Sequence, residues 1–167
     1  TPGTVYINGE VSALVNSVQV IDNNATITDS WEVLSSPDLI YIPESLFPQS
    51  ATQGQTIAFS LELENNGSMG LILNENSRIL IIDENDTLSA NLIDELQVSG
   101  NSPGTILTFY SIFIPPDFSS REFYPKIQLY GQQESGFPFY LEESIQADSF
   151  VVQTPVVLSV LDGTNEP

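Results

Sequence analysis

The stretch Thr56-Ile-Ala-Phe-Ser-Leu-Glu-Leu-Glu64 alternates apolar and polar side chains along its whole length. Side chains two positions apart on a β-strand point to the same face of a sheet. One face of this strand therefore carries Ile57, Phe59, Leu61 and Leu63. Asn65-Asn-Gly-Ser68 follows with residue types that favour a turn. The stretch predicts a strand with one buried face and a turn behind it.

The same alternation recurs along the rest of the chain. Further strands are predicted at residues 79–82, 93–98, 105–114, 123–130, 149–152 and 156–161. Turn-rich segments separate them at residues 83–86, 99–104, 115–117 and 131–136. Residues 89–96 have room for one or two helical turns, but β-branched residues and eleven prolines oppose longer helices. The pattern predicts an all-β sandwich or barrel.

Composition excludes several classes of function. The chain has 167 residues, of which 41% are hydrophobic, and its 22 acidic against 3 basic residues give a net charge of −19. Without His or Cys it has no Ser-His-Asp triad, thiol nucleophile, disulfide or ordinary zinc site. The negative charge opposes binding to nucleic acid or an anionic membrane. No apolar stretch reaches the ~20 residues of a transmembrane helix.

The chain is expected to be extracellular or attached to a cell surface. It is acidic, rich in Ser, Thr and Asn, and contains a single lysine. It begins with Thr, and its first residues do not form a basic region followed by an apolar one. We therefore expect a mature form from which a signal has been removed.

Residues 1–35 differ from the rest and predict an N-terminal β-extension, joined to a β-sandwich at residues 36–167. Too much aliphatic surface lies in this extension to remain in water, so its strands are expected to pair with a sheet. They either add to their own sandwich or insert into an open edge of a neighbouring subunit. The candidates for such strand donation are Val5, Ile7, Val11, Val15, Val18 and Val20.

From Pro37 onward the sequence resembles the cell-adhesion-related (CARDB-like) immunoglobulin-fold domains of bacteria and archaea. The residues that carry this resemblance are Pro37-Asp-Leu-Ile40, Pro48, Gly54-Gln-Thr-Ile57, Leu61-Glu-Leu-Glu-Asn-Asn-Gly67, Ile79-Leu-Ile-Ile82, Pro103-Gly104 and Pro115-Pro116. The chain departs from the family in two ways. A Gly-x-Tyr pattern usually precedes the last strand of these domains, whereas this chain has Ser120-Arg-Glu-Phe123. The segments at residues 71–78 and 132–142 are also longer than the corresponding segments of the family. The resemblance implies an immunoglobulin-like antiparallel β-sandwich with a non-catalytic role in adhesion or spacing.

Acidic turns suggest a structural Ca²⁺ ion, since this cation takes carboxylate, amide and backbone oxygens at the ends of sandwiches. The best cluster is Asp83, Glu84 and Asp86 together with Asn85, followed by Asp22, Asn23, Asn24 and Asp29. Neither cluster matches an EF-hand loop. The alternative is that these are polar turns that interact only with water, and no other cofactor is expected.

Three Asn-x-Ser/Thr sequons mark candidate glycosylation sites at Asn24, Asn66 and Asn85. All three fall in predicted turns. Their number is close to what chance gives in a chain of this composition, so glycosylation is an expectation from exposure and not from frequency.

Neighbouring acidic residues and aromatic residues raise two further possibilities. Asp94-Glu95 and Glu142-Glu143 are adjacent on the chain, and adjacent strand residues face opposite sides of a sheet, so they cannot flank one glycosidic bond. We expect no catalytic residues. Five aromatic residues are candidates for stacking on a sugar, although in a sandwich most such residues fill the core or cover an open end. They are Tyr124, Tyr130, Phe137, Phe139 and Tyr140.

The sequence thus predicts a non-catalytic structural subunit of an extracellular filament, sheath or surface adhesin. Sheets usually protect their edges with Lys or Pro, and a chain with one lysine has little such protection. Its expected partner is itself, as a head-to-tail homopolymer assembled through β-strand contacts. The alternative is a glycan-binding or accessory module of a larger secreted protein, with a glycan or surface receptor as its partner.

Overall fold

A computed structural model describes residues 2–7, 11–15, 18–22, 29–84 and 86–157. Every regular element in this part of the chain is a β-strand, so the predicted all-β class is confirmed. In chain order the strands are β1 (Gly3–Ile7), β2 (Val11–Val15), β3 (Val18–Asp22), β4 (Asp29–Val33), β5 (Leu39–Tyr41), β6 (Ser50–Thr52), β7 (Thr56–Asn65), β8 (Leu71–Leu73), β9 (Arg78–Ile82), β10 (Thr87–Asn91), β11 (Leu96–Val98), β12 (Ser102–Phe113), β13 (Glu122–Phe123), β14 (Lys126–Gln133), β15 (Pro138–Ser144) and β16 (Phe150–Gln153).

Two antiparallel sheets form a β-sandwich. One sheet has the order β12–β7–β5. In the other sheet, β14 is the central strand. β15 pairs with one edge of β14, and β8 and β9 pair with its other edge. β9 also pairs with β10, and β8 with β11. The early strands β5 and β7 thus share a sheet with β12, while β8, β9, β14 and β15 lie in the opposite one. This division matches the predicted antiparallel β-sandwich.

A third, smaller sheet has the order β13–β16–β6. Its β6–β16 ladder is parallel, in contrast to the antiparallel ladders of the rest of the described chain. β5 and β7 pair in one sheet of the sandwich, whereas β6, which lies between them in the sequence, pairs with the last strand, β16, in the small sheet.

The core lies where the alternation of β7 predicts it. Phe59, Leu61 and Leu63 are almost completely buried, as are Leu107 and Phe109 of β12. The opposite sheet contributes buried aliphatic side chains from alternate positions of β14. Burial of these side chains supplies the main favourable free energy of folding.

Asn65 extends the buried face of β7 by one more position, although it is polar and fully buried. Its Oδ1 accepts hydrogen bonds from the backbone N–H groups of Asp38 and Gly67, each at 3.0 Å. Its Nδ2 donates to the backbone carbonyls of Met69 and Ser99, also at 3.0 Å. One side chain therefore bonds four backbone groups and ties three segments of the chain together at this end of the sandwich.

Several predicted element boundaries are wrong. The strand predicted at residues 123–130 is divided into β13 and β14, and residues 89–96 overlap strand β10 where helical turns were considered. Residues 132–142, which were predicted as a turn and an insert, contain the end of β14, the hairpin turn and most of β15. Val156 and Val157 are exposed and belong to no strand, and residues 158–161 of the predicted last strand lie outside the described residues.

The first strands pair with one another. β1 pairs with β4 from Gly3 opposite Val33 to Ile7 opposite Asp29, and β2 pairs with β3 as a second antiparallel ladder. Among the described residues, no ladder joins β1–β4 to a strand of the sandwich.

Candidate functional site

A partly exposed aromatic pair lies on the outer face of the β14–β15 hairpin. Tyr130 and Tyr140 are directly opposite in the ladder, and their ring centroids are 5.0 Å apart with planes inclined at 39°. The alternation of both strands explains this position. Ile127 and Leu129 face the core and Leu141 packs against it, so the residues between them face outward. Tyr140 keeps 55% of its surface exposed.

Polar side chains surround the pair and bond to one another. The Glu142 carboxylate accepts hydrogen bonds from the Tyr140 hydroxyl at 2.5 Å, from Lys126 Nζ at 2.8 Å and from Gln128 Nε2 at 2.9 Å. Arg78 Nε on β9 donates to Gln128 Oε1 at 2.7 Å. These residues, with Tyr130, form what we call the tyrosine face. Two of the three basic residues of the whole chain belong to it.

The hydrogen bonds of the tyrosine face fix two protonation states. The Lys126 ammonium, with further donors from Tyr140 and Gln128, lowers the pKa of Glu142 from 4.5 to about 2. The hydrogen bond to Glu142, with some burial, raises the pKa of Tyr140 to about 12. A lowered carboxyl pKa stabilises the fold above the ordinary value and loses this effect as the pH falls toward about 2. Carboxylate and neutral phenol therefore coexist at neutral pH.

The other aromatic candidates lie elsewhere. Phe137 is 68% exposed in the turn between β14 and β15, and Tyr124 is 51% exposed between β13 and β14. Phe139 packs against the core. Of the five aromatic residues considered from the sequence, Tyr130 and Tyr140 stack on each other. Sequence reasoning did not assign Lys126, Gln128, Glu142 or Arg78 to this group, because that requires the registers of β15 and β9 against β14.

The carboxylates of the acidic turn after β9 accept hydrogen bonds from other groups of the protein. Asp83 Oδ1 accepts a hydrogen bond from Arg121 Nη2 at 2.5 Å and another from the backbone N–H of Glu84 at 2.8 Å. Hydrogen bonds, first from Ser119 and then from the Glu84 backbone, lower the pKa of Asp83. Asp86 Oδ1 accepts from the Thr87 backbone N–H at 2.8 Å. Two carboxylate oxygens that a Ca²⁺ ion would need as ligands, Asp83 Oδ1 and Asp86 Oδ1, therefore already accept hydrogen bonds from the protein.

The predicted calcium ligands are only partly brought together. Asp83 and Asp86 line a cavity of about 260 Å³ with Asp117, whereas Glu84 is an exposed side chain outside that lining. Asn85, Asn23 and Asn24 lie outside the described residues. Within the described part, no three acidic, His or Cys side chains are grouped as a metal site. Calcium binding stays a prediction.

Of the three sequons, the structure describes Asn66. It is exposed in the turn after β7, and its Nδ2 donates to Glu64 Oε1 at 3.3 Å. Asn24 and Asn85 lie outside the described residues. Glycosylation at all three stays a prediction.

The candidates for strand donation lie on three strands. Val5 and Ile7 are on β1, Val11 and Val15 on β2, and Val18 and Val20 on β3. The side chain of Val18 is 64% exposed. The structure does not describe the side chains of the other five, so strand donation stays a prediction.

Sequence reasoning also missed an exposed apolar face on the sheet β12–β7–β5. Ile106, Tyr110 and Phe113 of β12 are 64%, 56% and 51% exposed, and Ile40 of β5 is 41% exposed. The register places Ile106 opposite Glu62 and Phe113 opposite Thr56, so these side chains share the outer face. A groove of about 270 Å³ runs beside Ile106, toward the connection between β10 and β11. Alternation alone would place Ile106 and Phe113, seven positions apart, on opposite faces, and the register shift between Thr108 and Ser111 brings Phe113 to the outer face.

Comparison with known proteins finds distant structural similarity only. No protein-family model matches the sequence, and no curated protein matches it either. Among solved structures, the sporulation control protein Spo0M from Bacillus subtilis is similar over 72% of this chain, with 8% sequence identity and a TM-score of 0.39. The match covers 50% of the length of Spo0M. In the described residues, no helix is long and apolar enough to cross a membrane.

Proposed function

We propose that the chain is a non-catalytic structural subunit of an extracellular filament, sheath or surface adhesin, and that its subunits join through β-strand contacts. The observation that carries this proposal is the pairing of the first strands. In the described residues, β1 pairs with β4 and β2 pairs with β3, and neither ladder continues into the sandwich. Two-stranded ladders are marginal in water unless further strands or another surface cover them.

The free edge of β15 is the best acceptor for such a strand. β15 spans seven residues and pairs with β14 on one side, while no ladder in the described chain occupies its other side. Alternate residues of an antiparallel strand direct their backbone groups to opposite sides. The Gln133 N–H donates to the Phe137 carbonyl, so Tyr140 and Glu142 direct their backbone groups to the free edge.

The composition and the family resemblance support the same role. Edge strands are commonly protected by lysine, and the single lysine of this chain, Lys126, lies on β14, between β15 and β9 in its sheet. An acidic, lysine-poor chain supports an extracellular location. The resemblance to CARDB-like domains supports adhesion or spacing in place of catalysis.

A charge on the exposed side chain of Val18 is expected to block assembly. Val18→Asp should raise the protein concentration needed for polymers at least about tenfold, because it places a carboxylate in an apolar strand contact. Analytical ultracentrifugation and negative-stain electron microscopy of the full chain would measure this. Gln19→Asp is the matched control, because Gln19 is also exposed on β3 but faces the other way.

The two variants separate an interface from a general effect of charge. If Gln19→Asp impairs assembly as strongly as Val18→Asp, net charge and not the apolar face of β3 is responsible. If the unaltered chain stays monomeric at every concentration tested, the proposed assembly is wrong.

Assembly is also expected to depend strongly on salt. Subunits with a charge of −19 repel one another, and this repulsion is screened as the Debye length falls from about 30 Å at 0.01 M salt to about 3 Å at 1 M. Polymers should therefore form at lower protein concentration in high salt, as measured by sedimentation. Assembly that weakens with added NaCl would indicate attraction between charged groups across the contact.

A further inference from the structure

We propose that the tyrosine face binds a neutral oligosaccharide. This activity is separate from the proposed assembly, because it uses outward side chains of β14, β15 and β9 and not a backbone edge. The face combines one exposed and one half-buried aromatic ring with polar groups that are already held in position.

The two tyrosine rings supply the apolar part of such a site. Tyr130 and Tyr140 form a tilted pair at 5.0 Å, with Tyr140 more than half exposed on an open sheet face. The face of an aromatic ring carries partial negative charge. The C–H groups of a pyranose ring carry partial positive charge, so a sugar can stack on these rings while its hydroxyls point to the sides.

The surrounding side chains supply partners for those hydroxyls. Lys126 Nζ has three N–H donors and uses one on Glu142, and Arg78 has five and uses Nε on Gln128. Donors therefore remain on both cations. Lys126 and Glu142 are each about one-third exposed at the side chain, at 31% and 35%, so water or a sugar can reach them. Their mutual hydrogen bonds reduce the conformational entropy lost when a ligand binds.

The dimensions favour an oligosaccharide. Along β14 the tyrosine face runs from Lys126 to Tyr130, and at about 3.4 Å per residue it spans about 14 Å. This is too long for one sugar ring, and the open face offers no deep pocket that would enclose one. We therefore expect weak binding, with a Kd of about 0.1–1 mM.

Charge favours a neutral ligand over an acidic one. The tyrosine face holds Arg78, Lys126 and Glu142, so its own charge is close to +1, whereas the whole chain has −19. At physiological ionic strength charges act over about 8 Å, and a chain-like polyanion extending beyond the face would meet the acidic remainder of the surface.

Native affinity electrophoresis of the full chain would test the proposal. The gels would contain soluble neutral polysaccharides, namely xyloglucan, laminarin and galactomannan, with polygalacturonate as the acidic comparison. We expect retardation by at least one neutral polysaccharide and none by polygalacturonate. Titration calorimetry with oligosaccharides of the retarding polysaccharide would then give the Kd.

Variants assign the binding to the tyrosine face. Tyr140→Ala should weaken binding at least about tenfold, whereas Tyr140→Phe, which keeps the ring, should change it less than about threefold. Tyr124→Ala is the matched control, because Tyr124 is similarly exposed but lies outside the face. Unfolding midpoints of all variants would show that they fold.

Three results would overturn the proposal. The first is no retardation by any of the three neutral polysaccharides, and the second is equal weakening by Tyr140→Ala and Tyr124→Ala. The third is retardation by polygalacturonate alone. Repeating the gels with Val18→Asp keeps the result independent of assembly, so that failure of either proposal is recognised separately.

Discussion

Replacing Asn65 by alanine is expected to lower the free energy of unfolding by about 3–5 kcal/mol. The substitution removes one fully buried side chain and leaves four backbone groups without their partners, namely the N–H groups of Asp38 and Gly67 and the carbonyls of Met69 and Ser99. Each buried polar group left unsatisfied costs about 1–3 kcal/mol, and water entering the space offsets part of the sum.

Urea denaturation of the monomeric protein would measure this effect. Asn66→Ala is the control at the next position, where the side chain is exposed, and it should change stability by less than about 0.5 kcal/mol. Asn65→Asp should cost at least as much as Asn65→Ala, because it places a buried carboxylate oxygen against the carbonyl oxygens of Met69 and Ser99. A loss below about 1 kcal/mol for Asn65→Ala would mean that the three segments hold their positions without this side chain.

Asn65 also shows how far sequence reasoning reached. The alternation of β7 places position 65 on the same face as Leu63, so its burial follows from the period of a strand. Asn, however, is typical of turns, and Asn65 was predicted as a turn residue. The structure satisfies both tendencies, because the side chain is buried in the strand while bonding the turn that follows. Such long-range bonds leave no sequence signal.

Gly67 has a comparable explanation that only the tertiary structure gives. A Cβ atom at this position would lie 2.0 Å from the backbone oxygen of Ser36. The turn signal at residues 65–68 was recognised, but the segment that approaches it is some thirty positions earlier in the chain. The close approach, and not only turn formation, requires glycine here.

The strands that were missed are short or depend on distant partners. β5, β6 and β8 have three residues each, too few for alternation to be recognised. β15 was hidden because residues 131–136 are rich in Gly, Ser and Gln, and Pro138 looks like an interruption. Since β15 is an edge strand, proline at its first position is tolerated.

Missing β15 is also why the tyrosine face was only half predicted. The two tyrosines were recognised as aromatic candidates, while Glu142 was considered only as a catalytic carboxylate and excluded, and Lys126 was given no role. Once the register places Tyr130 opposite Tyr140 and Gln128 opposite Glu142, these side chains meet on one face. The register of a hairpin depends on how its two strands pair, and it cannot be deduced from the composition of one strand.

Replacing Phe59 by alanine is the second change expected to have a large effect, with a loss of about 3–5 kcal/mol in the free energy of unfolding. Phe59 on β7 is 1% exposed, and its ring meets that of Phe150 on β16 edge-on at 4.9 Å. The substitution leaves a cavity where the sheet β12–β7–β5 packs against the last strand. The melting temperature should fall by about 10 °C for a chain of this size.

A double-mutant cycle would show whether this pair joins the two sheets. Phe59→Ala, Phe150→Ala and the double variant should give a coupling of about 0.5–1.5 kcal/mol, since edge-on aromatic pairs contribute that much beyond burial. Phe47→Ala is the control of equal size, because Phe47 is 69% exposed and should cost less than about 1 kcal/mol. If Phe59→Ala is no worse than Phe47→Ala, the core is not centred on β7. A coupling near zero would instead mean that the two rings stabilise their sheets independently.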